Sequence, residues 1–83
     1  MEAIAHQLRS FIAKNILFSN EGYILPDEAS FLEAGVVDSM NVMEIVMYSE
    51  EAFGINVEDN EIVPANFDSI RNLASFIQRK LPA

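Results

Sequence analysis

The sequence predicts an all-α fold: a four-helix bundle with a long first loop and a short third helix. Three observations carry this. Apolar residues return at three- and four-residue spacings in three separate stretches, around Ile4 to Ile16, Met40 to Phe53 and Ile70 to Leu81, which is the pattern of helices that bury one stripe. The run from Phe18 to Asp38 lacks that period and carries turn chemistry in Ser19-Asn20-Glu21-Gly22 and Pro26-Asp27. Cysteine is absent, so no disulfide or thiolate-bound metal can staple the chain, and helix packing must supply the stability.

The first helix is expected over about residues 2–17, with Ile4, Leu8, Phe11, Ile12 and Ile16 on one side and His6, Gln7, Arg9, Ser10 and Lys14 mostly facing solvent. The loop that follows is much longer than the usual connection of about 4–6 residues, so it is either functional or internally packed. Tyr23, Ile24, Leu25, Phe31, Leu32, Val36 and Val37 are too many apolar residues to leave in water. The loop should therefore lie across the helices as a lid, with Ser30-Phe31-Leu32-Glu33 forming a single helical turn closed by Gly35.

The second helix is expected over about Ser39 to Phe53, capped by Asp38 and ended by Gly54. Around it Val42, Ile45, Val46, Ser49 and Phe53 form one apolar side. Met40, Met43 and Met47 form another, flanked by Glu44, Glu50 and Glu51. A bundle helix needs one apolar stripe for the core. A second stripe of flexible methionines with an acidic rim describes a docking surface for basic partners, although burial all round would give the same pattern.

Glu58-Asp59-Asn60-Glu61-Ile62-Val63 is expected to form a short acidic third helix ended by Pro64. The last helix starts after Phe67-Asp68-Ser69, with Asp68 or Ser69 as cap. It turns Ile70, Leu73, Ala74, Ile77 and Leu81 inward and stops at Pro82. There are no repeats, no low-complexity tracts and no internal boundary, so residues 1–83 read as a single domain.

Composition narrows the function. Thirteen acidic residues against five basic ones give a net charge of −8, which repels nucleic-acid phosphates and anionic lipid and suits a basic protein partner. No apolar run approaches the ~18 residues that a membrane span requires. The N-terminal residues lack the basic flank and apolar block of a secretory signal. A cytoplasmic monomer is expected. A lone histidine, His6, and three isolated glycines offer no catalytic dyad, common zinc site or phosphate-cradling loop, and the acidic run after Gly54 lacks the EF-hand spacing. Neither a catalyst nor a metal site is expected.

Ser39 remains, one residue behind Asp38 at a helix start. Capping alone explains such a pair. The position would also suit a phosphate ester, which free helix amides and the positive end of the helix dipole would favour by about 0.3–1 kcal/mol.

The run Asp38-Ser39-Met40, then Val42-Met43-Glu44-Ile45-Val46-Met47, then Glu50-Glu51-Ala52-Phe53-Gly54-Ile55-Asn56-Val57, resembles the acyl carrier protein family. Phe31-Leu32-Glu33-Ala34-Gly35 resembles that family's approach to the motif, and the likeness covers nearly the whole chain. The resemblance implies a non-catalytic carrier whose Ser39 accepts 4′-phosphopantetheine from coenzyme A through a separate phosphopantetheinyl transferase. The arm's thiol then holds cargo as a thioester. It also implies that Asp38 helps hold metal and coenzyme A during transfer, and that Met40, Glu44, Met47 and Glu51 meet loading and processing enzymes with basic docking patches. Ser49 and Tyr48 depart from the family pattern, which has a core leucine and a small residue there; an underfilled core or an inward-turned Tyr48 follows. With the differing loop, these departures imply a specialised carrier of fatty-acid, polyketide or related cargo. An aminoacyl or peptidyl carrier, which would show glycine and histidine before the serine where Val37 and Asp38 stand, ranks second. An unmodified acidic adaptor ranks third.

Overall fold

The computed structural model describes residues 2–81, with Ser39 placed by its backbone alone. The elements run α1 (Glu2–Asn15), α2 (Phe31–Ala34), α3 (Ser39–Phe53), a 3₁₀ turn (Asp59–Glu61), α4 (Pro64–Phe67) and α5 (Ile70–Lys80). The three long helices and the short α4 make the expected four-helix bundle, and α2 is the single turn anticipated inside the first loop. The Cα radius of gyration, 11.7 Å, matches the ~12 Å of a fully packed chain of this length. Among the described residues no helix is long and apolar enough to cross a membrane.

The core is the set of stripes the spacing defines. Leu8 and Ile12 of α1, Ile45 of α3, and Ile70, Leu73 and Ile77 of α5 are essentially inaccessible, with Phe31 delivered from the loop. Full burial of each such side chain is worth about 1.5–3 kcal/mol. Phe76 also turns inward, its ring 5.3 Å from that of Phe67, so α5 buries a broader face than the expected stripe.

The first loop is a packed lid stitched to the start of α5. The Arg71 N–H donates to the Asp27 carbonyl at 2.9 Å, and the Phe31 N–H to the Asp68 carbonyl at 2.7 Å. Phe31, Val36 and Val37 are buried, whereas Ile24 and Leu32 stay exposed. Ser30 caps α2 through the Glu33 N–H, and Gly35 closes it in the left-handed region at φ 69°.

Three local expectations are corrected. α1 ends at Asn15 rather than near residue 17. The N–H groups of Ile16 and Leu17 both reach the Ile12 carbonyl, at 3.0 and 2.9 Å, which widens the last turn before Phe18 takes a positive φ of 52°. The acidic third helix shrinks to the 3₁₀ turn, and Pro64 opens α4 instead of ending a helix. Proline's missing N–H costs nothing at a first helical position, where its fixed φ is already correct. Ser69 alone caps α5, through the Asn72 N–H at 3.0 Å, because the Asp68 carboxylate faces Ser30 and Leu32. Pro82, the expected helix stop, lies outside the described residues.

Candidate functional site

α3 runs from Ser39 to Phe53, with Asp38 as N-cap and Gly54 in the left-handed region behind it, as the sequence predicts. One Asp38 carboxylate oxygen accepts the N–H groups of Met40 and Asn41, both at 3.0 Å. The Asn41 side chain returns to the Asp38 N–H at 3.4 Å and donates to Glu44 at 3.1 Å. This closes a capping box at the helix start.

Ser39 is the first residue of α3, and its side chain lies outside the described residues. Its neighbours Asp38 and Met40 are both exposed, Met40 by 78%, so the helix start lies at the surface. One expectation changes. The free helix-start amides expected to favour a phosphate do not include those of Met40 and Asn41, which donate to Asp38. The helix dipole still favours an anion there, but the Asp38 carboxylate already occupies the first donors.

The two faces of α3 separate cleanly. Ile45, Val46 and Ser49 are buried, with Val42 and Phe53 partly so. Met40, Met43 and Met47 are 78%, 50% and 62% exposed, which removes the alternative of a helix buried all round. Glu44 and Glu51 are exposed beside them. Glu50 is half-buried and accepts the Val57 N–H at 2.9 Å, so one of its oxygens ties down the segment after Gly54. Arg9 pairs with Glu2 and Asp27, Arg71 with Glu28, and Lys80 with Glu61. Among the described residues none of these ion pairs neutralises Glu44, Glu50 or Glu51. The result is an apolar row with an uncompensated acidic rim.

An apolar pocket of about 110 Å³ opens between α2, the start of α3 and α4, and Val37 and Val42, on either side of Ser39 in the chain, line it. Its other walls are Phe31 and Leu32 on one side and Ile62, Val63, Pro64, Phe67 and the charged Asp68 on the other. The sequence showed these residues as apolar but did not show that they enclose a space. The Glu61 carboxyl, next to this wall, is held below its ordinary range first by the Glu58 backbone N–H and then by Lys80.

The two departures in α3 resolve locally. Ser49 is fully buried, and its hydroxyl donates to the Ile45 carbonyl at 2.8 Å, so the polar group is satisfied within its own helix. Tyr48 stacks on Phe11 of α1 with centroids 4.1 Å apart and donates to the Gln7 carbonyl at 3.4 Å. It seals the α1–α3 seam instead of turning into the core. His6 is exposed. Among the described residues no cluster of three or more histidine, cysteine or carboxylate side chains could hold a metal.

Residues 7–77 match the protein family described as phosphopantetheine attachment site. The fold is similar to the crystal structure of an acyl carrier protein from Thermotoga maritima, with a TM-score of 0.74 and 23% identity over 95% of this chain and 87% of that one.

Proposed function

Since this chain belongs to the phosphopantetheine attachment site family, it is a carrier protein rather than an enzyme and its cofactor is covalent 4′-phosphopantetheine; we propose that Ser39 is the attachment residue and that the cargo is acyl. The observation that carries this is the placement of Ser39 as first residue of α3, inside the matched span, between two exposed residues. The residues present fit the group. The only hydroxyl-bearing residue beside the cap stands at an accessible helix start, and the pocket beside it is apolar.

In the transfer, the Ser39 oxygen bonds to the phosphorus that carries the pantetheine arm of coenzyme A. The bond from that phosphorus to the rest of the nucleotide breaks, and the serine proton leaves to the transferase. When attached, the group supplies a thiol on which a carboxylic acid is held as a thioester, so a chain without cysteine gains a reactive sulfur. The chain's own residues position and present it. Asp38 fixes the first turn, and Met40, Met43 and Met47 with Glu44, Glu51 and the outer edge of Glu50 meet basic patches on the transferase and on loading and processing enzymes.

The walls of the pocket, apolar apart from Asp68, support acyl cargo, because an alkyl chain leaves water favourably there. We place the protein as a cytoplasmic monomer serving fatty-acid, polyketide or related specialised biosynthesis. Incubation with coenzyme A and a broad-specificity transferase should add the mass of one phosphopantetheine to the native chain and none to Ser39→Ala. Equal labelling of the two overturns the assignment. Loading by an adenylating enzyme with an amino acid but with no fatty acid would replace acyl by aminoacyl cargo.

A further inference from the structure

The pocket beside α3 has walls from two segments far apart in sequence, and one residue joins them. Asp68, which itself lines the pocket, holds α2 by three hydrogen bonds. Its carboxylate accepts the Ser30 hydroxyl at 2.5 Å and the Leu32 N–H at 3.1 Å, and its backbone carbonyl accepts the Phe31 N–H at 2.7 Å. The Ser30 hydroxyl in turn accepts the Glu33 N–H at 3.2 Å, so the same contact that ties α2 to Asp68 also caps it. Phe31 and Leu32 form the wall on this side, and Val63, Pro64 and Phe67, from the turn of chain that leads into Asp68, form the facing one. The separation of the walls is thus set at Asp68.

We propose that Asp68 is a positioning residue that limits how much of a cargo the pocket admits, by clamping α2 against α4. This rests on the carrier reading above. The magnitude follows from the volume. An apolar cavity of about 150 Å³ holds a benzene-sized guest, so the 110 Å³ available here shelters no more than about five carbons. Longer chains must project past Leu32, which is 59% exposed, or force α2 away from α4. The second route breaks the bonds to Asp68. A charged, doubly used acceptor is costly to strip of its donors, so the clamp resists widening.

The test loads Ser39 of the full chain with acetyl-, butyryl-, hexanoyl- or octanoyl-phosphopantetheine from the corresponding coenzyme A thioester, and follows the amide resonances of Leu32, Val63 and Phe67 with the methyl resonances of Leu32 and Val63. In the native chain the shifts should grow from acetyl to butyryl and level off by hexanoyl. In Asp68→Ala the levelling should move to a longer chain. Asp68→Asn, which keeps an oxygen for the Leu32 N–H, should stay near the native profile. A lower melting temperature alone would come from any structural role; a moved chain-length limit would not. Loading with the same levelling point in the native chain and Asp68→Ala overturns the clamp and leaves the carrier reading intact. Native shifts that keep growing through octanoyl overturn it without any variant, which covers the case of an unfolded Asp68→Ala. Failure of every thioester to load at Ser39 overturns both readings.

Discussion

Replacing Asp38 with alanine and with asparagine separates the two duties placed on it, holding the helix start and assisting the transfer to Ser39. Alanine removes the acceptor for two N–H groups, both at 3.0 Å, and with it the capping box. Cap losses of this kind cost about 0.5–2 kcal/mol. For a domain of this size that lowers the melting temperature by about 4–8 °C per kcal/mol. Asparagine is as good a cap as aspartate and removes only the charge. The lost attraction to the helix dipole, about 0.3–1 kcal/mol, is offset by relief of repulsion in a chain of net charge −8. Asp38→Asn should therefore melt close to the native protein and well above Asp38→Ala in thermal unfolding followed by circular dichroism. The rate of phosphopantetheine transfer should fall in both, by about tenfold or more for one lost charge-assisted contact. If asparagine destabilises as much as alanine, the hydrogen bonds do not hold the helix start. If asparagine keeps the full transfer rate, the carboxylate serves the fold alone.

Two further outcomes follow from single residues. Phe18 sits at φ 52° and is 80% exposed, a conformation that costs a bulky residue about 1–2 kcal/mol; Phe18→Asn, which tolerates it, should raise the urea midpoint, and a fall would mean that the ring is needed where it lies. The Tyr23 hydroxyl is buried without a hydrogen-bond partner among the described residues, and burial followed by the Asp27 charge pushes its pKa up to about 12. The unfolded chain, near the ordinary value of about 10, releases that proton first, so stability should fall as the pH rises from about 10 to about 12, and Tyr23→Phe should flatten that loss in alkaline unfolding curves.

What could be read from the chain follows the range of the forces involved. The limits of α3 came out residue for residue because an aspartate cap and a left-handed glycine act on their nearest neighbours. The same cap spends the Met40 and Asn41 amides, so fewer helix-start donors are left for an anion than a bare helix end would offer. Pro64 opens α4 where the spacing predicts an end, because proline both stops helices and starts them, and only its setting decides which. The inward turn of Phe76 and the contacts of Asp68 to α2 are hidden for a different reason. The partner of Phe76 is Phe67 on another helix, and that of Asp68 is Ser30, 38 residues away. No periodicity or capping rule reaches across such a gap. The pocket is therefore the least legible part of the candidate site and the exposed methionine row the most legible, since a helical stripe is a local pattern.

This difference bears on how α3 can serve both fold and function. Its buried stripe, Ile45, Val46 and Ser49, holds the bundle, and its methionine row is half or more in water. Substitutions on the row remove little buried area, so they should cost little stability, and partner choice can change while the core stays as it is. The pocket has no such freedom. Phe31 and Phe67 are both buried core residues and pocket walls, so enlarging the space by truncating them removes core packing at about 3–5 kcal/mol for each ring, a large share of what a small domain has. Asp68 offers a cheaper route. It is half-buried at the edge of the core, and a change there moves a wall without emptying it. Cargo length in this carrier should therefore respond first to the polar contacts that space the walls and only afterwards to the apolar residues that form them.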